Sequence, residues 1–189
     1  MISKIASYDW MELERELNEN GYAVLEKLLD GEMCQRLVSS YEDEANFRAT
    51  IQMQRYNFGS GEYKYFAYPL PDLISALRSG LYPHLARIAN GWSQALKTDV
   101  KFPDDHDAYL KQCHENGQTR PTLLLLRYKA GDYNCLHQDL YGEAVFPLQV
   151  AVLLSAPQAD YKGGEFVVTE QRPRMQTRVE VVPLKKGMR

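Results

Sequence analysis

The chain has 189 residues, of which 44% are hydrophobic and 25% charged, and a formal net charge of −3, values that fit one water-soluble globular domain able to bury a sizeable core. No run of roughly eighteen apolar residues is present, which excludes a transmembrane helix and membrane partners. Met1 to Trp10 lacks a basic-then-apolar secretory signal, and the three cysteines (Cys34, Cys113, Cys135) form no C-x-x-C. Their odd number argues against a disulfide framework or structural zinc and fits a reducing cytoplasm.

The charge is unevenly spread. Residues 1–50 carry five basic groups against eleven acidic ones, whereas residues 162–189 carry seven basic against three acidic. A basic C-terminal face suits a polyanion such as nucleic acid. A solvated surface with one-sided charge explains the same pattern.

In chain order, Trp10, Leu13 and Leu17 repeat at helical spacing, and Gly21 stops that helix. Gly21 to Leu25 suits a short strand. Asp30 then caps a helix with Met33, Leu37, Val38 and Tyr41 on one face. Residues 47–68 are rich in aromatics, and Gly59-Ser60-Gly61 marks a turn between two extended pieces. Pro71 sits in the first turn of a helix through Leu81, and Pro83 opens another. Residues 104–116 are polar and helical; His84, His106 and His114 lie in these segments as surface or capping histidines.

After Pro121 the character changes. Strands are predicted over Thr122–Tyr128, Asn134–Gln138, Phe146–Ser155 (interrupted only by Gln149), Glu165–Thr169 and Arg178–Leu184. Helices first and strands later predict an α+β domain with residues 1–120 as helical and strand support and 121–189 as a sandwich or jelly roll.

The stretch Arg127 to Asp139 carries the chemistry. His137 and Asp139 are two apart, so on a strand their side chains share a face. An imidazole beside a carboxylate is two-thirds of the 2-His-1-carboxylate triad of non-haem Fe(II) oxygenases. A His–Asp hydrogen bond at a strand end is the plainer alternative. Cys135 lies two before His137 and reads as a small core residue.

The pattern Arg-Tyr-x-x-Gly-x-x-x-x-Leu-His-Gln-Asp over 127–139 resembles the signature of the Fe(II)/2-oxoglutarate dioxygenases, with a tyrosine-to-histidine spacing like that of AlkB-type nucleic-acid demethylases and a looser likeness to prolyl-hydroxylase-like members. Tyr161-Lys162-Gly163-Gly164-Glu165-Phe166 is similar to a strand start that follows in the same superfamily. Longer pieces, including Gly61–Phe66, Gly117–Thr122, Leu136–Gly142 and Thr169–Gln176, resemble an uncharacterised bacterial family of these oxygenases described as acting on damaged DNA.

The resemblance implies a double-stranded β-helix with N-terminal helices packed outside it. It implies His137 and Asp139 as iron ligands, Tyr128 as a 2-oxoglutarate contact and Tyr141 as a substrate-contact candidate. Leu126 stands where the AlkB-type pattern has an asparagine. The implied cofactors are Fe(II), 2-oxoglutarate and O₂, and the implied reaction is hydroxylation or demethylation, with alkylated nucleic acid, protein and small molecules all open as substrates.

The family pattern also has a later histidine and a 2-oxoglutarate arginine. No histidine follows His137 in these 189 residues, so the sequence reads as shortened, with the last strands of the β-helix missing. The expectation for the chain alone is weak iron binding and little turnover. An inactive remnant or a nucleic-acid-binding module is therefore the alternative to the enzyme.

Overall fold

Two local patterns shape the fold, a long apolar-faced helix and a set of short antiparallel strands, in a computed structural model that describes residues 1–139, 145–171 and 173–187. The chain divides into two units, Met1–Ile2 with Ser39–Gln149 and Ser3–Val38 with Val150–Arg189.

The first unit is built on a three-stranded antiparallel sheet. Strand β1 (Phe47–Gln52) pairs with β3 (Glu62–Phe66), which pairs with β4 (Leu124–Arg127) in the register Glu62↔Arg127 to Tyr65↔Leu124. The register of β1 shifts between Phe47 and Ala49, making Arg48 a bulge residue. Between β1 and β3 the chain makes a 3-10 turn at Met53–Tyr56 and then β2 (Gly59–Ser60), which pairs with β5 (Tyr133–Asn134). The glycine-rich triplet is thus partly a strand rather than a simple turn.

Helix α4 spans Asp72–Ala95 without a break at Pro83. A proline inside a helix forfeits one backbone hydrogen bond. Buried Leu81, Tyr82, Leu85, Ala86, Ile88 and Ala89 hold both halves in the core and override that local preference. Helix α5 (His106–Glu115) is capped by the Asp105 side chain on the Ala108 amide. Between them Phe102 is clamped by Asn90, whose amide donates to its carbonyl and accepts from its N–H. Tyr82, Phe102, Tyr109 and Phe146 form one aromatic cluster, with ring centroids 4.9–6.0 Å apart. Phe146 thereby anchors the start of the apolar run 146–155, which pairs with no strand among the described residues.

The second unit carries α1 (Ile2–Ala6), α2 (Trp10–Asn20) and α3 (Gly31–Ser39). Asp9 caps α2 through the Met11 and Glu12 amides, and Gly21 ends it at φ 77°. Residues 22–25 form no strand, yet Leu25 is buried. Strands β6 (Val167–Glu170) and β7 (Arg178–Val181) make an antiparallel pair. Gly187 stays close to Leu29, accepting from its N–H at 3.1 Å; an added Cβ would lie 2.2 Å from the Leu29 carbonyl oxygen. Among the described residues no helix is long and apolar enough to cross a membrane.

Candidate metal half-site

His137 and Asp139 follow β5 in irregular backbone, not on a strand. The strand is short because its partner β2 is only two residues long. The two side chains still meet, with His137 Nε2 3.3 Å from Asp139 Oδ1. Both are partly exposed, at 44% and 40%.

The ring is oriented by its other nitrogen, which lies 2.7 Å from the Cys135 carbonyl oxygen. A carbonyl only accepts, so Nδ1 carries a proton and Nε2 of the neutral ring carries the lone pair. That lone pair faces a carboxylate oxygen. Two acceptors in contact call for a cation, either a second proton on the ring or a metal ion. This Nδ1-to-carbonyl arrangement is how metal-binding histidines are commonly held.

Asp139 is oriented as well. Gln149 Nε2 donates to its Oδ2 at 2.7 Å, leaving Oδ1 toward the histidine. Gln149 was visible in the sequence as the single polar residue of an apolar run. Its partner was not, because no local pattern joins it to Asp139.

The loop before His137 is tied to the first strands. The Cys135 N–H donates to the Phe58 carbonyl at 2.8 Å, and Ser60 Oγ donates to Asp132. Asp132 Oδ2 also accepts from the Lys129 N–H. Ser60 and the Lys129 amide hold the Asp132 carboxyl below its usual value. At Gly59 an added Cβ would sit 2.3 Å from the Tyr133 carbonyl oxygen, so only glycine lets β2 and β5 approach this closely. Cys135 is exposed, correcting the expectation of a core residue: its neighbours in β5 are exposed too.

Tyr128 follows β4 directly, and its side chain hydrogen-bonds that of Asn134. Burial is the largest influence on its hydroxyl and pushes its pKa up. Its ring lies over Gly61, where an added Cβ would meet ring carbon Cδ1 at 2.8 Å and the backbone has φ 132°. Leu126 on β4 is exposed. Tyr141 lies outside the described residues. Among the described residues no group of three or more His, Cys, Asp or Glu side chains is placed to hold a metal. His106 instead packs at 5.3 Å from the Tyr82 ring, and His84 lies on α4.

Arg127 fixes the end of β4. It donates to Glu62 Oε1 at 2.5 Å and Glu42 Oε1 at 2.6 Å, and lies over the Tyr41 ring at 4.3 Å. Glu62 also accepts from Tyr41 and Gln52. Burial works against the charge of Glu62, but these donors outweigh it and lower its pKa.

Residues 61–189 match a family described as an oxygenase catalysing oxidative methylation of damaged DNA, and the chain belongs to that family. It is also 50% identical over 122 residues to two uncharacterized proteins of Mycobacterium tuberculosis, MT2286 of strain CDC 1551 / Oshkosh and Rv2227 of strain ATCC 25618 / H37Rv. Each match covers 65% of this chain and 52% of the relative, so the chain spans about half the length of the curated relatives it matches. No solved structure matches the chain significantly.

Proposed function

We propose that the chain carries the core of an Fe(II)- and 2-oxoglutarate-dependent dioxygenase that oxidises alkylated DNA in the cytoplasm. The observation that carries this reading is the His137–Asp139 contact at 3.3 Å, with Nδ1 held by the Cys135 carbonyl and Nε2 left beside a carboxylate oxygen. A hard oxygen beside an imidazole suits Fe(II) or Mn(II) better than thiophilic metals. The family's described action on damaged DNA favours nucleic acid over protein or a small molecule as substrate. Three free thiols fit a reducing compartment. On this reading the short strands belong to a double-stranded β-helix.

His137 and Asp139 would hold the iron, and the Tyr128 hydroxyl would donate a hydrogen bond to 2-oxoglutarate. When bound, iron with 2-oxoglutarate and O₂ supplies the oxidation of a C–H bond. The chain's own part is positional. The Cys135 carbonyl and Gln149 fix the two donors, and Gly61 lets the Tyr128 ring approach the backbone closely. The test is release of formaldehyde from methylated single-stranded oligonucleotides, together with conversion of 2-oxoglutarate to succinate and CO₂, in the presence of Fe(II) and O₂. Turnover that disappears in His137→Ala is the expected result. Undiminished turnover in His137→Ala and Asp139→Ala would overturn the assignment.

A further inference from the structure

The first unit carries an open cleft of about 450 Å³ at the end of the sheet where β4 begins. Arg48, Tyr68, Thr119 and Arg120 line it with two alanines and Pro121, and none of the lining residues is acidic. Arg48 is the bulge residue of β1, and a bulge re-aims a side chain out of the regular sheet. Its guanidinium is held in place by the Pro121 carbonyl, at 3.3 and 3.2 Å, and by the Tyr65 ring at 4.3 Å. A third guanidinium, Arg78, donates to the Tyr68 hydroxyl at 3.0 Å. Arg48, Arg78 and Arg120 form no ion pair with a carboxylate among the described residues.

The cations of β3 and β4 are matched. Lys64 pairs with Glu44, and Arg127 with Glu42 and Glu62. Two arginines in the cleft wall and a third on the exposed Tyr68, none with a carboxylate partner among the described residues, contrast with those two. Guanidinium forks match phosphate oxygens, and an exposed aromatic ring stacks on a base of any identity. The volume falls in the small-ligand range of about 300–1,000 Å³, which takes one nucleotide unit rather than a duplex.

We infer that this cleft binds the sugar-phosphate backbone of a single strand of DNA, with Arg48 and Arg120 on a phosphate and Tyr68 against a base. The inference rests on the damaged-DNA reading and adds a contact that the reading does not assign. Arg120 and Pro121 precede β4, and Tyr128 and the His137 loop follow it. Four residues of strand span about 13 Å, so the cleft grips the strand a few nucleotides from a base presented to the half-site. Such a contact supplies affinity and register without reading sequence.

The experiment is fluorescence anisotropy of a labelled single-stranded oligonucleotide against the full chain across a salt series. Arg120→Gln is expected to weaken binding several-fold and to reduce the slope of log affinity against log salt by about 0.7, the value for one phosphate contact on a single strand. Arg120→Lys should recover most of that slope. Arg48→Gln tests the same point, but Arg48 also holds Pro121, so the exposed Arg120 keeps the test clean if Arg48→Gln destabilises the fold. Unchanged affinity and slope in Arg120→Gln would overturn the inference. So would full displacement of the oligonucleotide by millimolar inorganic phosphate at constant ionic strength, which would reduce the cleft to a simple phosphate site. Mn(II) binding measured in parallel separates the two readings: its absence speaks against the metal half-site, and only the oligonucleotide arm speaks to the cleft.

Discussion

Gln149 Nε2 donates to Asp139 Oδ2 at 2.7 Å, and this contact leaves Oδ1 facing His137 at 3.3 Å. A neutral amide thus orients the carboxylate without neutralising it. Replacing Gln149 with Leu removes that donor and frees the carboxylate to rotate. Mn(II) affinity measured by electron paramagnetic resonance should fall about tenfold, as for other residues that orient a ligand. Equal affinity in Gln149→Leu would show that Asp139 is held by something else.

Gly61 sits under Tyr128. An alanine there would place Cβ 2.8 Å from the ring, at a φ of 132° that L side chains rarely adopt. Gly61→Ala should lose about 1–3 kcal/mol of stability in urea unfolding and shift the near-ultraviolet signal of the tyrosines. Gly117 provides the comparison: it has φ 82° and nothing within 4 Å, so Gly117→Ala carries backbone strain alone and should cost less.

Glu62 gathers Tyr41, Gln52 and Arg127 at the start of β3, and so ties β4 and the start of the Tyr128 segment to the sheet. Glu62→Gln keeps the size but loses the charge-assisted bonds. A loss of about 1.5–3 kcal/mol is expected by chemical denaturation. Glu12, which pairs with Arg15 on the exposed face of α2, should show no measurable loss when replaced by Gln.

Two histidines contribute to the pH dependence near neutrality, His84, whose pKa burial and then Arg87 lower, and His106. Burial, and then the Arg78 charge, hold its pKa below 6.5. The unfolded ring therefore takes up a proton at a pH where the folded ring stays neutral. Its stabilising contribution is complete above 6.5 and is lost as pH falls from there through the lowered folded value. Thermal melts at about pH 7.5 and pH 5.5 should show a smaller acid-induced drop in Tm for His106→Phe than for the wild type. An equal drop in both would assign the dependence to another group.

Much of the helical frame was legible from local signals. Asp9, Asp30 and Gly21 act as the caps their residue types suggest. Pro83 misled because burial on both sides of it outweighs one missing backbone hydrogen bond. The strands after Pro121 were placed at the right positions for β4, β6 and β7, but each is shorter than its apolar run. Length in a sheet is set by the partner, which periodicity does not reveal. At the half-site the sequence showed the His137–Asp139 pair and Tyr128. It did not show that Gln149 meets Asp139, nor the roles of Ser60, Asp132 and Gly59, because these arise from contacts that local patterns do not reveal.

The most direct measurement is titration of the chain with Mn(II), as a spectroscopic stand-in for Fe(II), in the wild type and in His137→Ala and Asp139→Ala. One bound ion in the wild type is expected, with affinity reduced at least about tenfold in each variant, since a lost ligand costs no less than a lost orienting residue. Binding of equal strength in all three proteins, or none in the wild type at millimolar Mn(II), would contradict the assignment of His137 and Asp139 as metal ligands.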